Sequence, residues 1–340
     1  MTDIQLQATH IGLAHGNGGR QMRELIEQLF VRHLHNPLLD TQTDAACLPW
    51  PKDEVIISND GFTVQPLEFP GGDIGSLAIH GTINDLAVSG AIPHYLSLTA
   101  ILEEGLEIAL LERIIKSMAT TARENNVAIV TGDTKVVRRG EGSGLYLATT
   151  GIGSRSINQH LNPGQIQAGD AILVSGPIGN HAIAVMLARE QFGLSGTVCS
   201  DAASVLPLTR ALLDYSGLRF MRDPTRGGLA TVCHDIRQAT GLGTRIQESA
   251  IPVEPAVRSV CDILGYDPLY LACEGRVVAV IAAAQAGAAL EHWRTLAQGQ
   301  QAAIIGTVTG DDNQQVILET DLGGERLLQQ LEDDPLPRIC

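Results

Sequence analysis

The segment HGTINDLAVSGA, residues 80–91, places Asn84 and Asp85 inside a run of small and apolar residues. The run is typical of a buried helix, and a carboxylate inside such a helix needs a partner to offset its desolvation. That partner is either a structural hydrogen bond or a bound ligand. Other carboxylates placed to meet Asp85 would favour a cation.

The composition indicates a globular protein of two domains. The chain has 340 residues, 44% of them hydrophobic and 4% aromatic, and is too long for one typical core. Its net charge of −15 disfavours nucleic acids and anionic membranes as partners, because phosphate groups repel such a protein. A nucleotide masked by magnesium remains compatible with this charge.

The sequence shows no targeting or membrane segment. The N-terminus lacks a basic stretch followed by an apolar one, and the longest apolar run, 277–284, is too short to span a bilayer. The six cysteines are scattered without a CxxC pair, and no HExxH occurs. In a reducing compartment this pattern is typical of buried thiols, and we expect a cytoplasmic protein.

Short β-branched runs alternate with amphipathic stretches, which predicts an α/β fold. Helices are predicted at 21–33, 107–125 and about 227–240. The strands are predicted at 54–58, 94–102, 127–131, 145–151, 171–175, 269–273 and 277–281, with two more near Ile304 and Val316.

Two changes in amino-acid composition divide the chain. A polar stretch with Pro163 and Gly164 is typical of a linker, which gives an N-terminal domain at 1–158 and a C-terminal domain at 163–331. The end, 332–340, contains two prolines and several acids. It has too little apolar surface to fold alone, so we expect a flexible arm.

Carboxylates recur beside glycines near the ends of predicted elements. Four such positions are Asp60 in SNDG, Asp73 in PGGDIGS, Asp133 in TGDTK and Asp223, which opens a predicted helix in RDPTRGG. Each alone is typical of a turn or a helix N-cap. If several converge with Asp85 on one crevice, they form an oxygen-rich magnesium site that phosphate oxygens would complete.

A glycine-rich loop supplies a candidate anion site. HGNGGR, residues 15–20, leads directly into the first predicted helix, where backbone amides attract anionic groups. The chain contains no GxxxxGK[ST], and no GxGxxG follows a strand. This excludes a P-loop ATPase and a dinucleotide-binding fold.

Glu274 lies between two predicted apolar strands, in LACEG. A carboxylate there is either a turn residue or a base whose pKa is raised by burial. The residues alone leave both interpretations open.

The chain ends on a thiol, Cys340, in PRIC. One interpretation is chance, because termini tolerate almost any residue. The other is a carrier, since a thiol on a flexible arm is able to visit more than one site.

One ordered set of motifs resembles the hydrogenase maturation factors of the HypE family over essentially the whole chain: HGNGG, SNDGFTV, GGDIG, INDLAVSGA, TGDTKVV, RDPTRGGLA, LACEG and PRIC. This family of carbamoyl dehydratases belongs to an ATP-binding superfamily with aminoimidazole ribonucleotide (AIR) synthetase, selenophosphate synthetase and thiamine-monophosphate kinase. The internal motifs identify the superfamily and PRIC identifies the member. The chain departs from the family only mildly, with HGNGG for HGSGG and NDGF for TDSF.

The resemblance implies a two-domain AIR synthetase-like fold, with N-terminal domains that pair strands across a homodimer and a C-terminal α/β sandwich. It implies ATP and Mg²⁺ as cofactors. The implied ATP contacts are Asn17, Gly18, Gly19, Asp60, Asp73, Asn84, Asp133 and Arg226. The implied magnesium ligands are Asp60, Asp85, Asp133 and Asp223.

The resemblance also implies a reaction and its partners. Cys340 would receive a carbamoyl group from a carbamoyltransferase, HypF, and ATP-dependent dehydration would give a thiocyanate. The cyano group would pass to iron on a HypC–HypD scaffold for a [NiFe] hydrogenase. Lys135 would hold the charge of the transferring phosphoryl group, and Glu274 would remove the amide proton.

Two alternatives remain beside this one. Another activity of the superfamily, selenophosphate synthesis or small-molecule kinase chemistry, is disfavoured because the earliest cysteine, Cys47, lies outside any motif. A non-enzymatic thiol carrier, which binds nucleotide only to lock its arm, is the third hypothesis. Phosphate release from ATP by the carbamoylated protein separates them.

Overall fold

The computed structural model describes residues 8–16, 20–39, 50, 53–159, 161–189, 196–310 and 314–330. Four strands form the N-terminal sheet: β1 Glu54–Phe62, β4 Ile92–Glu103, β5 Ala128–Val137 and β6 Leu145–Arg155. They lie in the order β1-β6-β4-β5, with β4 and β5 parallel and the other neighbours antiparallel. A separate small hairpin consists of β2 Glu68–Phe69 and β3 Gly72–Asp73.

A helical segment precedes this sheet. It runs through a 3₁₀ turn, Leu13–Gly16, then α1 Arg20–Leu25, a π-helical stretch Ile26–Val31 and α2 Arg32–Leu34. Leu25, Leu29 and Phe30 are buried in the N-terminal core. The helix predicted at 21–33 is therefore confirmed, with a π-helical centre.

Two helices, α3 Ile74–Val88 and α4 Ile108–Glu124, cover one face of the sheet. Asp73 begins α3 with a capping box: its carboxylate accepts from the Gly75 and Ser76 amides at 2.7 and 3.0 Å. In α4, the apolar residues predicted at helical spacing are buried: Ile108, Leu111, Ile115 and Met118.

The other face of the sheet is open and partly apolar. Val55 and Ile57 on β1 are 51% and 63% exposed, and Ile92 on β4 is 46% exposed. Alternate β1 residues point toward α3 and are less exposed. An exposed face with this many large aliphatic side chains is typical of an interaction surface.

Seven strands form the C-terminal sheet: β7 Ala171–Val174, β8 Leu218–Arg222, β9 Gly243–Gln247, β10 Val278–Ile281, β11 Ala303–Thr309, β12 Val316–Glu319 and β13 Glu325–Leu327. They lie in the order β13-β12-β9-β11-β7-β10-β8. The helices of this part are α5 Asn180–Ala188, α6 Leu206–Leu212, α7 Gly228–Thr240, α8 Pro255–Leu264 and α9 Ala283–Arg294. The sheet and helices confirm a mixed α/β fold in both parts of the chain.

The two parts share one hydrophobic core. Leu77 and Ile83 of α3 belong to the same buried cluster as Leu206 and Leu208 of α6, and α3 packs directly on α6. Helix α3 therefore packs against the N-terminal sheet on one side and against the C-terminal part of the chain on the other. This position lets a single helix carry residues toward both.

The strand predicted at 269–273 is wrong. Pro268–Tyr270 is a 3₁₀ turn, because the Asp267 carboxylate accepts from the Leu269 amide at 3.0 Å. Further along, the Cys273 amide donates to the Pro224 carbonyl at 3.0 Å, in place of a neighbouring strand. The apolar run is buried as a loop, so Glu274 lies in a bend before β10 and not between two strands.

Three predicted positions of aspartates also need correction. Asp60 lies within β1 and Asp133 within β5, because the β1–β6 pairing continues to Phe62 and the β4–β5 pairing to Val137. Asp223 follows β8 but does not open a helix, since α7 begins only at Gly228. The Asp223–Gly227 loop is what carries Asp223 to the site.

Within the described residues, no helix is both long and apolar enough to cross a membrane.

Candidate active site

A cavity of about 1770 Å³ opens between the two parts of the chain. Its walls are β1, α3, the loop after β8, and the bend that follows Tyr270. It brings together five of the predicted site residues: Asp60, Asp85, Asp223, Arg226 and Glu274. These residues come from four separate regions of the sequence, so their meeting supports a functional role.

Asp60 and Asp85 are in direct contact. The pleat of β1 turns Ser58 and Asp60 toward α3, where the Ser58 hydroxyl donates to the Asp85 carboxylate. Asp60 is hydrogen-bonded to Asp85 as well. Burial and the neighbouring Asp85 charge raise the pKa of Asp60 to about 6, while Arg226 opposes the shift. The charge of Asp85 therefore makes Asp60 harder to ionise, and a bound cation would relieve that repulsion.

Asp223 completes what we call the carboxylate cluster, defined as Asp60, Asp85 and Asp223. It is 8% exposed, and burial, followed by the charges of Asp85 and Asp60, raises its pKa to about 7. The charge of Asp85 thus raises the proton affinity of both Asp60 and Asp223 in one wall of the cavity. A divalent cation would offset this negative charge.

The side-chain oxygens of the cluster suit a magnesium ion whose coordination shell is completed by other ligands. The cluster offers only oxygen atoms, which Mg²⁺ prefers, and its excess negative charge is not neutralised by the nearby Arg226. In the part of the chain that the structure describes, no three metal-ligating side chains gather closely enough to hold an ion alone. A cation at the cluster would therefore need further oxygen ligands, such as those of a phosphate.

Glu274 faces the same cavity from the C-terminal part and is 6% exposed. Its backbone lies in the bend before β10, with Gly275 next to it. The alternatives of turn residue and base are therefore not exclusive, because the residue forms the bend and also lines the cavity.

Asp133 and Lys135 are not brought to this cavity. They lie on β5, at the sheet edge opposite β1, about three strand spacings or roughly 14 Å away. Asp133 lines a small separate cavity with Phe30 and Leu34 of the N-terminal helices. Both side chains are exposed.

Two other predicted nucleotide contacts have structural partners. Asp73 is occupied by the capping box of α3. The Asn84 amide group donates to the carbonyls of Ala203 and Glu274, both at 3.0 Å, and its oxygen accepts from the Val205 amide at 2.8 Å. Asn84 is 1% exposed, and these bonds use both of its amide protons, so none remains to donate to a nucleotide.

The remaining predicted site residues, Asn17, Gly18, Gly19 and Cys340, lie outside the described residues, as does the arm at 332–340. The described chain ends at Gln330, which lines the rim of the cavity. Tyr270 holds this end, because its hydroxyl donates to the Gln329 carbonyl at 2.8 Å.

Sequence reasoning missed Ser58 and Asp201. Ser58 lies two residues before Asp60, and the alternation of a strand would have placed both on one face. Asp201, described below, contacts residues about 75 positions away in the chain, for which a single sequence carries no signal.

Both parts of the chain match models of AIR synthase related proteins, the N-terminal domain over residues 42–154 and the C-terminal domain over residues 167–319. The chain therefore has the fold of the AIR synthase-related class.

Within that class, the chain is 45% identical over 341 positions, covering 100% of both chains, to "Carbamoyl dehydratase HypE" of Azotobacter vinelandii. A crystal structure of HypE in complex with ATP superposes with a TM-score of 0.91 at 45% identity, covering 96% of this chain and 99% of the other. A HypE–HypF complex gives 0.79 at 39% identity, covering 90% and 99%. The chain belongs to the HypE family of carbamoyl dehydratases.

Proposed function

We propose that this protein uses ATP to dehydrate a carbamoyl group on Cys340 to a thiocyanate, whose cyano group becomes a ligand of iron in a [NiFe] hydrogenase. The observation that carries the proposal is the large cavity with the carboxylate cluster on one wall, Glu274 on another and Gln330 at its rim. Ten residues follow Gln330, and they reach at most about 35 Å when extended, which is enough for the terminal thiol to enter.

The chemistry explains why both walls are needed. A thiocarbamate does not lose water directly, because its carbonyl oxygen is a poor leaving group. Transfer of the γ-phosphoryl group of ATP to that oxygen, with loss of one N–H proton, gives a phosphorylated imidate and ADP. Loss of the second N–H proton and departure of phosphate then form the C≡N bond. Glu274, which lines the cavity, is assigned the role of the base that accepts an amide proton.

The carboxylate cluster is assigned to the nucleotide side of the reaction. Asp60, Asp85 and Asp223 would hold Mg²⁺, which neutralises phosphate charge when it is bound. Arg226 lies close enough to act on the charge of Asp60 and is assigned to a phosphate of the nucleotide. The solved HypE structure in complex with ATP supports ATP as that nucleotide.

Lys135 keeps its proposed role only if a second copy of the chain contributes to the site. It lies on the far edge of the N-terminal sheet, next to the open face that carries Val55 and Ile57. A homodimer that covers this face would bury those side chains and bring β5 of one copy toward the cavity of the other. The same reasoning covers Asp133, as a ligand of nucleotide or magnesium.

The proposed partners follow from the relatives and from the reaction. The solved HypE–HypF complex supports HypF as the carbamoyl donor. A HypC–HypD scaffold is proposed as the acceptor of the cyano group. The described cysteines are free thiols, which is compatible with the proposed location of the protein in the reducing cytoplasm.

Mass spectrometry of the C-terminal peptide tests the reaction. The purified protein is incubated with HypF, carbamoyl phosphate, ATP and Mg²⁺, and then digested. We expect a carbamoyl adduct on Cys340 that loses one water only when ATP is present. Cys340→Ala is the control and should show neither species while it keeps the thermal stability of the wild type.

The alternative functions predict different outcomes. A thiol carrier would keep the carbamoyl group intact and release no phosphate from ATP. A small-molecule kinase would release ADP only when a free substrate is added. Either result would overturn the proposed dehydration.

A further inference from the structure

The bend that carries Glu274 is held by one carboxylate, that of Asp201. Its oxygens accept from the backbone amides of Glu274 at 3.4 Å and Gly275 at 3.2 Å. The side chain is 1% exposed and also pairs with the Arg276 guanidinium at 3.5 Å. Asp201 does not line the cavity, so it acts on Glu274 only through the backbone.

Asp201 is itself fixed by a helix start. The amide of His181, in the first turn of α5, donates to the Asp201 carboxylate at 3.1 Å. The neighbouring Ser200 hydroxyl hydrogen-bonds the His181 ring at 2.8 Å. A buried carboxylate with several amide donors and a cation is well satisfied, so its position is strongly determined.

The other side of the Glu274 peptide unit is held from α3. The Asn84 amide donates to the Glu274 carbonyl at 3.0 Å, and it also binds Ala203 and Val205, which follow Asp201 in the chain. The next residue on α3 is Asp85 of the carboxylate cluster. One helix turn therefore carries both a magnesium candidate and the group that fixes the Glu274 carbonyl.

The close packing at Gly275 shows how little freedom the bend has. A Cβ at this position would collide with the backbone carbonyl of Asp201. Only glycine allows the two backbones to approach this closely. The Asp201 segment and the Glu274 bend are thus locked together by packing as well as by hydrogen bonds.

We infer that Asp201 and Asn84 are positioning residues, which fix the Glu274 carboxylate at a set distance from the carboxylate cluster. The inference rests on the proposed function, because it assigns Glu274 the role of base. A displacement of about 1 Å in a reacting group costs up to about a hundredfold in rate. Loss of either residue should therefore slow dehydration without weakening nucleotide binding.

Asp201→Asn tests this directly, since the substitution keeps the shape but points an N–H₂ group at backbone donors. The protein is carbamoylated first, and a single turnover is started with saturating ATP–Mg. We expect dehydration to slow by about 10- to 100-fold, with the Kd for ATP–Mg changed less than about twofold. If Asp201→Asn does not fold, Asn84→Ala, which alters no charge, takes its place. It should give the same slow dehydration with a nearly unchanged Kd for ATP–Mg.

Asp170→Asn is the matched control. Asp170 is also buried, accepts from the Gln167 amide at 2.8 Å and pairs with Arg219 at 3.7 Å, but it lies away from Glu274. It should lower thermal stability comparably and leave the single-turnover rate unchanged. Equal rates for the Asp201 and Asp170 variants would overturn the inference.

Amide hydrogen exchange separates this inference from the proposed function. In Asp201→Asn, the amides of Glu274 and Gly275 should exchange at least about tenfold faster than in the wild type, and in Asp170→Asn they should not. If the wild type makes no thiocyanate, the proposed function fails, and exchange still decides whether Asp201 holds the bend. Unchanged exchange would refute the positioning role whatever the activity.

Discussion

The carboxylate cluster and Asp201 lie on either side of the Glu274 bend, and they are opposite in character. In the carboxylate cluster, Asp60, Asp85 and Asp223 line one wall of the cavity, and the charge of Asp85 raises the pKa of both Asp60 and Asp223. Asp201, outside the cavity, is saturated by Arg276 and by three backbone amides. The cluster has fewer compensating contacts for its three charges, chiefly the Ser58 hydroxyl on Asp85 and the Arg226 charge near Asp60.

The difference indicates which acids are functional. A buried carboxylate that serves structure is expected to be fully hydrogen-bonded, because an unsatisfied charge destabilises the fold. A set of acids that lacks such compensation persists where a ligand completes it. This criterion supports the proposal that the cluster is a ligand site and Asp201 a support, although sequence reasoning treats every Asp beside small residues alike.

The largest expected effect concerns the residue between the two groups. Glu274→Gln should retain ATP–Mg binding and carbamoylation but slow dehydration by about 10² to 10⁴, because an amide is not a base. Single-turnover mass spectrometry of the C-terminal peptide measures it. Glu291→Gln, at a side chain that is 73% exposed, should behave as wild type.

The opposite outcome would make Glu274 a structural residue, as Asp201 is. Wild-type turnover in Glu274→Gln would mean that its carboxylate only forms the bend. The Asp201 network would then hold a turn with no catalytic purpose, and the base would have to be sought elsewhere in the cavity.

The proposed role of Lys135 depends on a second copy of the chain. Lys135→Ala should slow ATP consumption by carbamoylated protein by about 10- to 100-fold, if it holds transferring phosphoryl charge. Lys116→Ala, at an exposed lysine paired with Glu112 on α4, is the control.

Mixed dimers then show which copy supplies the lysine. When Lys135→Ala chains are mixed with Glu274→Gln chains, a lysine acting across the dimer gives sites that contain both wild-type residues. Recovered turnover is the expected result. If Lys135→Ala is slow by itself, no recovery in verified mixed dimers would place Lys135 and Glu274 in the same chain's site.

The next effect falls on the cluster itself. Asp85→Asn should weaken magnesium-dependent ATP binding by about tenfold or more and leave nucleotide binding without magnesium nearly unchanged, because it removes one charged oxygen ligand. Calorimetric titration with and without Mg²⁺ measures the two affinities, and Asp170→Asn should match wild type. Unchanged ATP–Mg affinity would make Asp85 a structural acid like Asp201.

Each aspartate alone is typical of a turn or N-cap, and only the family resemblance implied one site for Asp60, Asp85, Asp133 and Asp223, of which the cavity brings together all but Asp133. Apolar spacing predicted α4, and the first helix was predicted as the segment that follows the glycine-rich loop. Sequence reasoning failed for 269–273, where an apolar run is buried as a loop by contacts with Asp267 and Pro224. It also placed Asn84 at the nucleotide, since a single sequence does not show that Ala203, Val205 and Glu274 converge on its amide.

The smallest expected effect is on stability, and it uses the raised pKa of Asp223 in the cluster. Burial raises the pKa of Asp223 to about 7 from 3.8, so the folded protein holds this proton more tightly than the unfolded chain. The fold must therefore lose stability as pH rises from about 4 to about 7, and the penalty is complete above that window. Asp223→Asn, whose side chain at position 223 carries no charge, should be more stable than wild type at pH 8 without Mg²⁺, on the order of 2 kcal/mol. The difference in unfolding free energy should shrink toward pH 4.

Thermal unfolding across this pH range measures the difference in stability, with Asp214→Asn at an exposed position as the control. Added ATP–Mg should stabilise the wild type more than the variant and so narrow the gap at pH 8. A constant difference at all pH values would show that Asp223 is compensated in the fold, and the contrast with Asp201 would no longer mark the cluster as a ligand site.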